Sequence, residues 1–404
     1  MSTIDRSTHT QPQDADEIER RRQTIRITGW GSTFHFFQPR NACFWIYLGL
    51  TLAGGKYVVT TVAQNAGPFA AGYTASVLTT GAFTALFLVF LHRKDRWERT
   101  PGRLALAAFV IGGVAVPWAL ALPGNSALIS IYGKLFGQAW TEDWQAGLSA
   151  PFVEESAKGI GFLLLLGLAP RVIRTVYDGL VVGAYVGLGF QILEDLFYGQ
   201  NAAISRFGQD QAGAVLHSFV LRSLTGLASH ALYTALFAAG LVYLIGTVAQ
   251  PRRVGRGLAL MAAAMVLHGL WDSMAALARG SGQVMVALIV AITITSFALL
   301  YTALRLAGGQ ERRWLGDVLA PEVTNGTLTP AELAALTGRR KETRAAVRGR
   351  EAGVSRHREK HVLHAAHDLA HDLAVADGED SPDVQLSRAE IARIRRGHRP
   401  ASGD

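Results

Sequence analysis

Apolar residues fill the middle of the chain in long blocks. Eight stretches are mainly apolar: 43–63, 70–91, 103–122, 151–169, 178–198, 215–246, 257–278 and 283–306. A helix that crosses a bilayer needs about 20 such residues, and it satisfies its own backbone polar groups within the segment. The pattern predicts an all-α, polytopic membrane bundle of about eight transmembrane helices. Polar residues dominate both ends, so three segments are expected: an N-terminal segment 1–42, a membrane domain 43–306, and a helical, partly disordered tail 307–404. The sixth stretch is long for one span, so it is expected either to tilt or to begin outside the hydrocarbon. Asn125 to Trp144 reads as an external amphipathic stretch or a re-entrant hairpin.

Composition narrows the classes. Half of the residues are apolar and 17% are charged, which excludes a disordered chain and a small disulfide scaffold. The single cysteine, Cys43, excludes an internal bridge and a Cys-rich zinc site. The net charge of +8 is unevenly spread: residues 43–306 hold 28 charged residues, and the shorter 307–404 holds 31. The basic surplus fits membrane topology better than nucleic-acid binding. Arg93, Lys94, Arg96, Arg99 and Arg103 crowd the second loop, Arg171 and Arg174 the fourth, and Arg252, Arg253 and Arg256 the sixth. The intervening loops hold almost no base. The positive-inside rule then predicts a multi-pass protein of a bacterial-type plasma membrane with both termini cytoplasmic. The first 42 residues lack the layout of a signal peptide.

Charge inside the hydrocarbon costs roughly 2.5–3.5 kcal/mol per residue on insertion scales, so each case needs a reason. Glu154, Glu155 and Lys158 open the fourth stretch, and Glu194 and Asp195 lie late in the fifth. Arg222 and His230 are in the sixth, and His268 and Asp272 in the seventh. With the predicted orientation, these groups reach one outer half of the bilayer from four helices. Glu154 and Lys158, Phe190 and Glu194, and His268 and Asp272 are each four apart, on one helix face. Pro151 suits a first helical turn, which would put Glu154 and Glu155 near a helix N-terminus. Five acids against Lys158 and Arg222 leave an untenable surplus in low dielectric. Protonation, charged histidines or a bound divalent cation must balance it, and each option suits acid–base chemistry. Arg222 reads as a counter-ion or an interfacial residue, and Asp195 as a wet helix end outside the core site.

The string Pro151-Phe-Val-Glu154-Glu155-Ser-Ala-Lys158 resembles the EExxK motif of PrsW-type intramembrane proteases. Phe190 to Glu194 resembles their FxxxE motif, His230 the isolated histidine, and His268 to Asp272 the HxxxD motif. The wider group, which includes CAAX-processing endopeptidases and bacteriocin self-immunity proteins, carries EExxxR, FxxxH and HxxxN. Lys158, Glu194 and Asp272 depart from those patterns and agree with the PrsW branch. The resemblance implies an intramembrane peptidase acting on membrane-anchored proteins, of anti-sigma factor type in a bacterium. It implies Glu154, Glu155, Glu194, His230, His268 and Asp272 as catalytic residues, with Lys158 and Phe190 in support. Glu154 would act as base, and Glu155 would pair with Lys158. A divalent metal, zinc first, would be held by Glu154, Glu194, His268 and Asp272; a metal-free glutamate mechanism is the other form. Its partners would be a membrane protein substrate and the lipid bilayer, with no nucleic acid. An ion- or proton-coupled transporter and a non-catalytic sensor or scaffold are the competing readings of buried acids and histidines.

In the tail, Thr329-Pro-Ala-Glu332 and Ser387-Arg-Ala-Glu390 read as capping boxes that open helices. Between them His357, His361, His364, His367 and His371 share one helix face. A solvated helix is the plain reading, and a metal- or pH-sensing face the alternative. Asp377 to Asp383 reads as a flexible linker.

Overall fold

The computed structural model describes residues 12–95, 98–226, 229–338 and 356–396. It is 83% helical, with no strand among the described residues. The chain divides into two compact units: Phe34–Ala307, and Met1–Thr33 with Gly308–Asp404. The N-terminal residues therefore group with the tail.

After α1 (Pro12–Thr28), the larger unit contains α2 (Ala42–Asn65), α3 (Ala70–Lys94) and α4 (Gly102–Val110). A π-helical run, Ile111–Ala121, joins α4 to α5 (Leu122–Phe136). Next come α6 (Gln138–Leu168), α7 (Val176–Ser205), α8 (Gln211–Thr225), α9 (His230–Ile245), α10 (Val254–Asp272), α11 (Met274–Ala278) and α12 (Gly282–Thr324). Among the described residues, six helical runs are long and apolar enough to cross a membrane: α2, α3, the run Gly102–Phe136, α7, α10 and α12. The helices of the other two predicted spans are α6, which carries Glu154, Glu155 and Lys158 in its apolar half, and α9, which has only 16 residues. The protein is thus a multi-pass helical membrane protein. In α7 78% of the apolar window is buried, against 17% in α2 and α3 and 11% in α12. So α7 is the hub, and Leu52, Leu78 and Leu86 on α2 and α3 present the exposed apolar surface that lipid covers.

Three sequence expectations change at the helix ends. Pro151 lies inside α6, since the helix already begins at Gln138. Glu154 and Glu155 are therefore mid-helix, away from any N-terminal dipole. α10 approaches the backbone around this interior proline closely. A Cβ on Gly269 would lie 2.9 Å from the Gly147 carbonyl and 3.1 Å from the Pro151 ring. The sixth stretch is two helices, α8 and α9, separated after Gly226, so His230 opens α9. Residues 125–144 form part of a tight helical hairpin: α5 turns at Gly137, whose φ of +85° needs a glycine, into α6. In the π-helical run, Pro117 cannot donate an N–H, and the Gly113 carbonyl accepts from Trp118 Nε1 at 3.1 Å.

Glycines set the spacing between α7 and α9. Gly179, Gly183 and Gly187 recur every four residues and form one ridge on α7. A Cβ on Gly187 would sit 2.3 Å from the His230 carbonyl oxygen. Only bare backbone lets α9 approach closely enough to place His230 against α7.

After α3, Asp95 is buried and accepts from the Thr100 amide at 2.7 Å. Burial pushes its carboxyl up to about 6, although the bond from Thr100 works in the other direction. An acid raised in the folded state favours folding at pH below its unfolded value, and that contribution is lost as pH rises through about 6. Asp95→Asn is therefore expected to stabilise the protein by roughly 2 kcal/mol at pH 7.5 and to change little below pH ~4. Thermal unfolding of both proteins across that range checks this.

The second unit packs α1 with the end of α12, α13 (Pro330–Thr337), α14 (Arg356–Val375) and α15 (Pro382–Arg396). Ile25, Leu315, Leu319, Leu369 and Ile391 are among its buried apolar residues. Buried Glu322 accepts from Arg21 Nη2 at 2.7 Å and from Arg388 Nε and Nη2 at 2.8 and 2.9 Å. The Thr329–Glu332 capping box is present, with both reciprocal bonds. The Ser387 box is not. The last helix starts earlier, where Ser381 Oγ caps the Val384 amide, and Ser387 donates to Asp372. The expected linker at 377–383 is instead an ordered turn. Asp377 and Gly378 take positive φ, the Gly378 amide bonds the Leu373 carbonyl, and Asp383 is already helical.

Candidate active site

Four helices deliver the site. On α6, Glu154, Glu155 and Lys158 occupy neighbouring positions over one turn. Lys158 is fully buried, and its Nζ donates to Glu155 Oε1 at 2.8 Å and to Glu154 Oε2 at 3.4 Å. The same ammonium lies 2.8 Å from His230 Nδ1 and 3.9 Å from the centroid of the Phe190 ring. An ammonium can only donate, so His230 Nδ1 accepts and its proton resides on Nε2. That Nε2 donates to Glu194 Oε2 on α7 at 2.8 Å. Glu155, with no exposed surface, also accepts from Thr234 Oγ1 at 3.2 Å.

His268 on α10 closes the cluster. Its Nδ1 is 3.1 Å from Glu155 Oε1, and its Nε2 is 3.2 Å from Asp272 Oδ2 and 3.8 Å from Glu154 Oε2. Tyr233 stacks on its ring at 5.4 Å. All six residues named as catalytic from the sequence therefore converge, with Lys158 and Phe190 among them. Glu154 lies at the centre, with Oε2 3.4–3.9 Å from Lys158, His230 and His268. A cavity of about 430 Å³ opens beside it, lined by Asn125, Gln191, Glu194, Trp271 and Asp272 among others.

The donor set suits a divalent ion. Glu154, His230 and His268 each offer a ligand atom, and the three atoms lie within 4.8 Å of one another. Around His268 Nε2, two carboxylate oxygens face one imidazole nitrogen. Their lone pairs repel unless a cation, either a proton or a metal ion, lies among them. Among the residues expected to hold metal, Glu194 is engaged elsewhere, by His230 and by Arg222 Nη2 at 2.9 Å.

Some participants were not read from the sequence. Asn125 on α5 donates from Nδ2 to Glu154 Oε1 at 3.2 Å. Asn125 Oδ1 and Gln191 Oε1 are buried acceptors at the cavity without a hydrogen-bond partner among the described residues. Thr234 had a signal, since it stands four residues after His230 on the same face. Asn125 had none, because its role depends on the hairpin at Gly137. Arg222 binds both Glu194 and Asp195, which favours the counter-ion reading and brings Asp195 to the cavity wall.

The fold and this cluster define a class: a helical membrane protein holding carboxylates and imidazoles beside a cavity. Residues 100–300 match the PrsW family intramembrane metalloprotease. A 112-residue stretch is 30% identical to Protease PrsW of Bacillus subtilis (strain 168), covering 28% of this chain and 47% of that protein. The chain thus aligns with about half the length of its curated relative. No solved structure matches it. Through this segment the chain belongs to the PrsW family of intramembrane proteases.

Proposed function

We propose that the protein is an intramembrane endopeptidase that hydrolyses peptide bonds in membrane-anchored proteins. The supporting observation is the placement of one carboxylate, Glu154, against an ammonium and two imidazoles at a cavity in the membrane unit. Family membership favours a peptidase over a transporter built from the same residue types.

In this reading Glu154 takes a proton from water as its oxygen bonds the scissile carbonyl carbon, then returns that proton to the leaving amine as the C–N bond breaks. Lys158 tethers Glu154 to Glu155 and fixes the tautomer of His230. His230 Nε2–H, held by Glu194 before substrate arrives, would turn to the developing oxyanion. Glu155 and Asp272 hold His268 from opposite sides of its ring. Glu154 and His268 would hold a divalent ion, and His230 would join them on giving up its bond with Lys158 or Glu194. Zinc is the first choice for a Glu/His set, and when bound it supplies a Lewis acid. The loop charges favour cytoplasmic termini in a bacterial-type plasma membrane, and in that orientation the site lies in the outer half of the bilayer. A membrane-tethered anti-sigma factor is the substrate type this reading favours.

The test is to co-express the protein with tagged single-span substrates and map the new termini by mass spectrometry. Cuts within or beside the outward-facing half of the span are expected. Cuts confined to soluble domains would overturn the reading.

A further inference from the structure

Two amide oxygens at the membrane cavity have no part in the reaction derived above. Asn125 Oδ1 on α5 and Gln191 Oε1 on α7 are buried atoms of cavity-lining residues, and neither meets a donor among the described residues. Gln191 is only 3% exposed and stands three residues before Glu194, which lines the same cavity. Chemistry sets the orientation of Asn125. Its Nδ2 faces Glu154 Oε1 at 3.2 Å, and a carboxylate oxygen accepts, so Oδ1 is the end left over. A buried acceptor without a donor costs stability, and such atoms are rare where nothing arrives to pair them. Here two of them, from separate helices, border the cavity that holds Glu154.

A membrane-spanning substrate arrives with its backbone paired inside its own helix. A peptide bond opens to attack only where that helix unwinds, and unwinding strips N–H groups of their carbonyl partners. A freed N–H is costly in low dielectric until it meets an acceptor. We propose that Asn125 Oδ1 and Gln191 Oε1 form a main-chain clamp, accepting N–H groups of the unwound substrate segment beside the bond to be cut; this rests on the peptidase reading and adds how that site takes its substrate. The acceptors lie on different helices, so they take two separate N–H groups and hold the strand in one register. Asn125 serves both reactants: Nδ2 holds the carboxylate that activates water, and Oδ1 holds the chain to be cut. Both side chains are uncharged and bind main chain only. The clamp therefore selects segments that unwind, whatever their side chains, and rejects proline at a clamped position because proline has no N–H.

The probe is a single-span synthetic peptide in liposomes with the full-length protein. A companion series replaces one backbone amide at a time by an ester, at positions flanking the cut but never at the cut itself. An ester keeps the shape and lacks the N–H. With the wild type, esters at the two clamped positions should lower kcat/KM by about tenfold, with little change elsewhere. Gln191→Leu should lower kcat/KM for the all-amide peptide by about tenfold and erase the ester penalty at one position. Asn125→Leu should erase it at the other, beside a further fall in kcat through Glu154. Gln191→Met repeats the first comparison with an unbranched side chain. Thermal unfolding separates the clamp from a structural role. Gln191→Leu removes an unpaired buried acceptor, so the unfolding temperature should hold or rise. A fall in that temperature with the ester penalties intact would overturn the clamp. Equal wild-type rates on every ester peptide would also overturn it while leaving the peptidase reading in place. No wild-type cleavage of the all-amide peptide would overturn the peptidase reading and the clamp together.

Discussion

Glu154→Gln is expected to lower peptide hydrolysis by about a thousandfold or more while leaving the bundle folded. Gln preserves the volume of the side chain but removes both the base and the anionic oxygen. The neighbours that fix the geometry survive. Asn125 still finds a carbonyl oxygen at Oε1, and Lys158 keeps its bond to Glu155 at 2.8 Å. A structural role for Glu154 would give the opposite pattern, a loss of stability accompanied by a proportionate loss of activity. Cleavage rate and thermal unfolding, measured on the same membrane preparation, distinguish the two.

The second large effect concerns Lys158. Its ammonium is fully buried among Glu154, Glu155 and His230, so Lys158→Met leaves Glu155 charged in low dielectric with its cation gone. Breaking one side of a buried pair costs about 3–5 kcal/mol, mostly through the charge left behind. Lys158→Met should therefore destabilise the membrane unit by about that amount, and Lys158→Met/Glu155→Gln should recover a large part of it. Unfolding of the wild type, Lys158→Met, Glu155→Gln and the double variant in mixed detergent micelles supplies the four corners of the cycle. A loss below ~1 kcal/mol for the single variant would mean that the Lys158 contacts with Glu155 and His230 do not hold α6 and α9 together.

Much of the site was legible because its chemistry is local and expensive. An ionisable side chain in an apolar stretch stands out, and a spacing of four places it on a helix face. That is why Glu154, Lys158, Glu194, His268 and Asp272 group together on the sequence alone. What could not be read was the geometry set by packing between helices. Pro151 carried the signal of a helix start, yet α10 fits against the backbone around it and the helix runs through. The break after Gly226 makes His230 the first residue of a helix, although hydropathy alone continues across it. Asn125 reaches Glu154 only because α5 folds back at Gly137. In the second unit, Ser387 had the spacing of a capping box, but Pro382 and Ser381 start the helix earlier and turn the serine toward Asp372.

The most direct test of the central claim is hydrolysis in water enriched in heavy oxygen, with purified protein and a single-span substrate in liposomes. If Glu154 activates water against a peptide bond, the wild type should yield fragments whose new C-terminal carboxylate carries one heavy oxygen, and Glu154→Gln should yield none. Cleavage by Glu154→Gln at the wild-type rate, or wild-type fragments without heavy oxygen, would contradict the account.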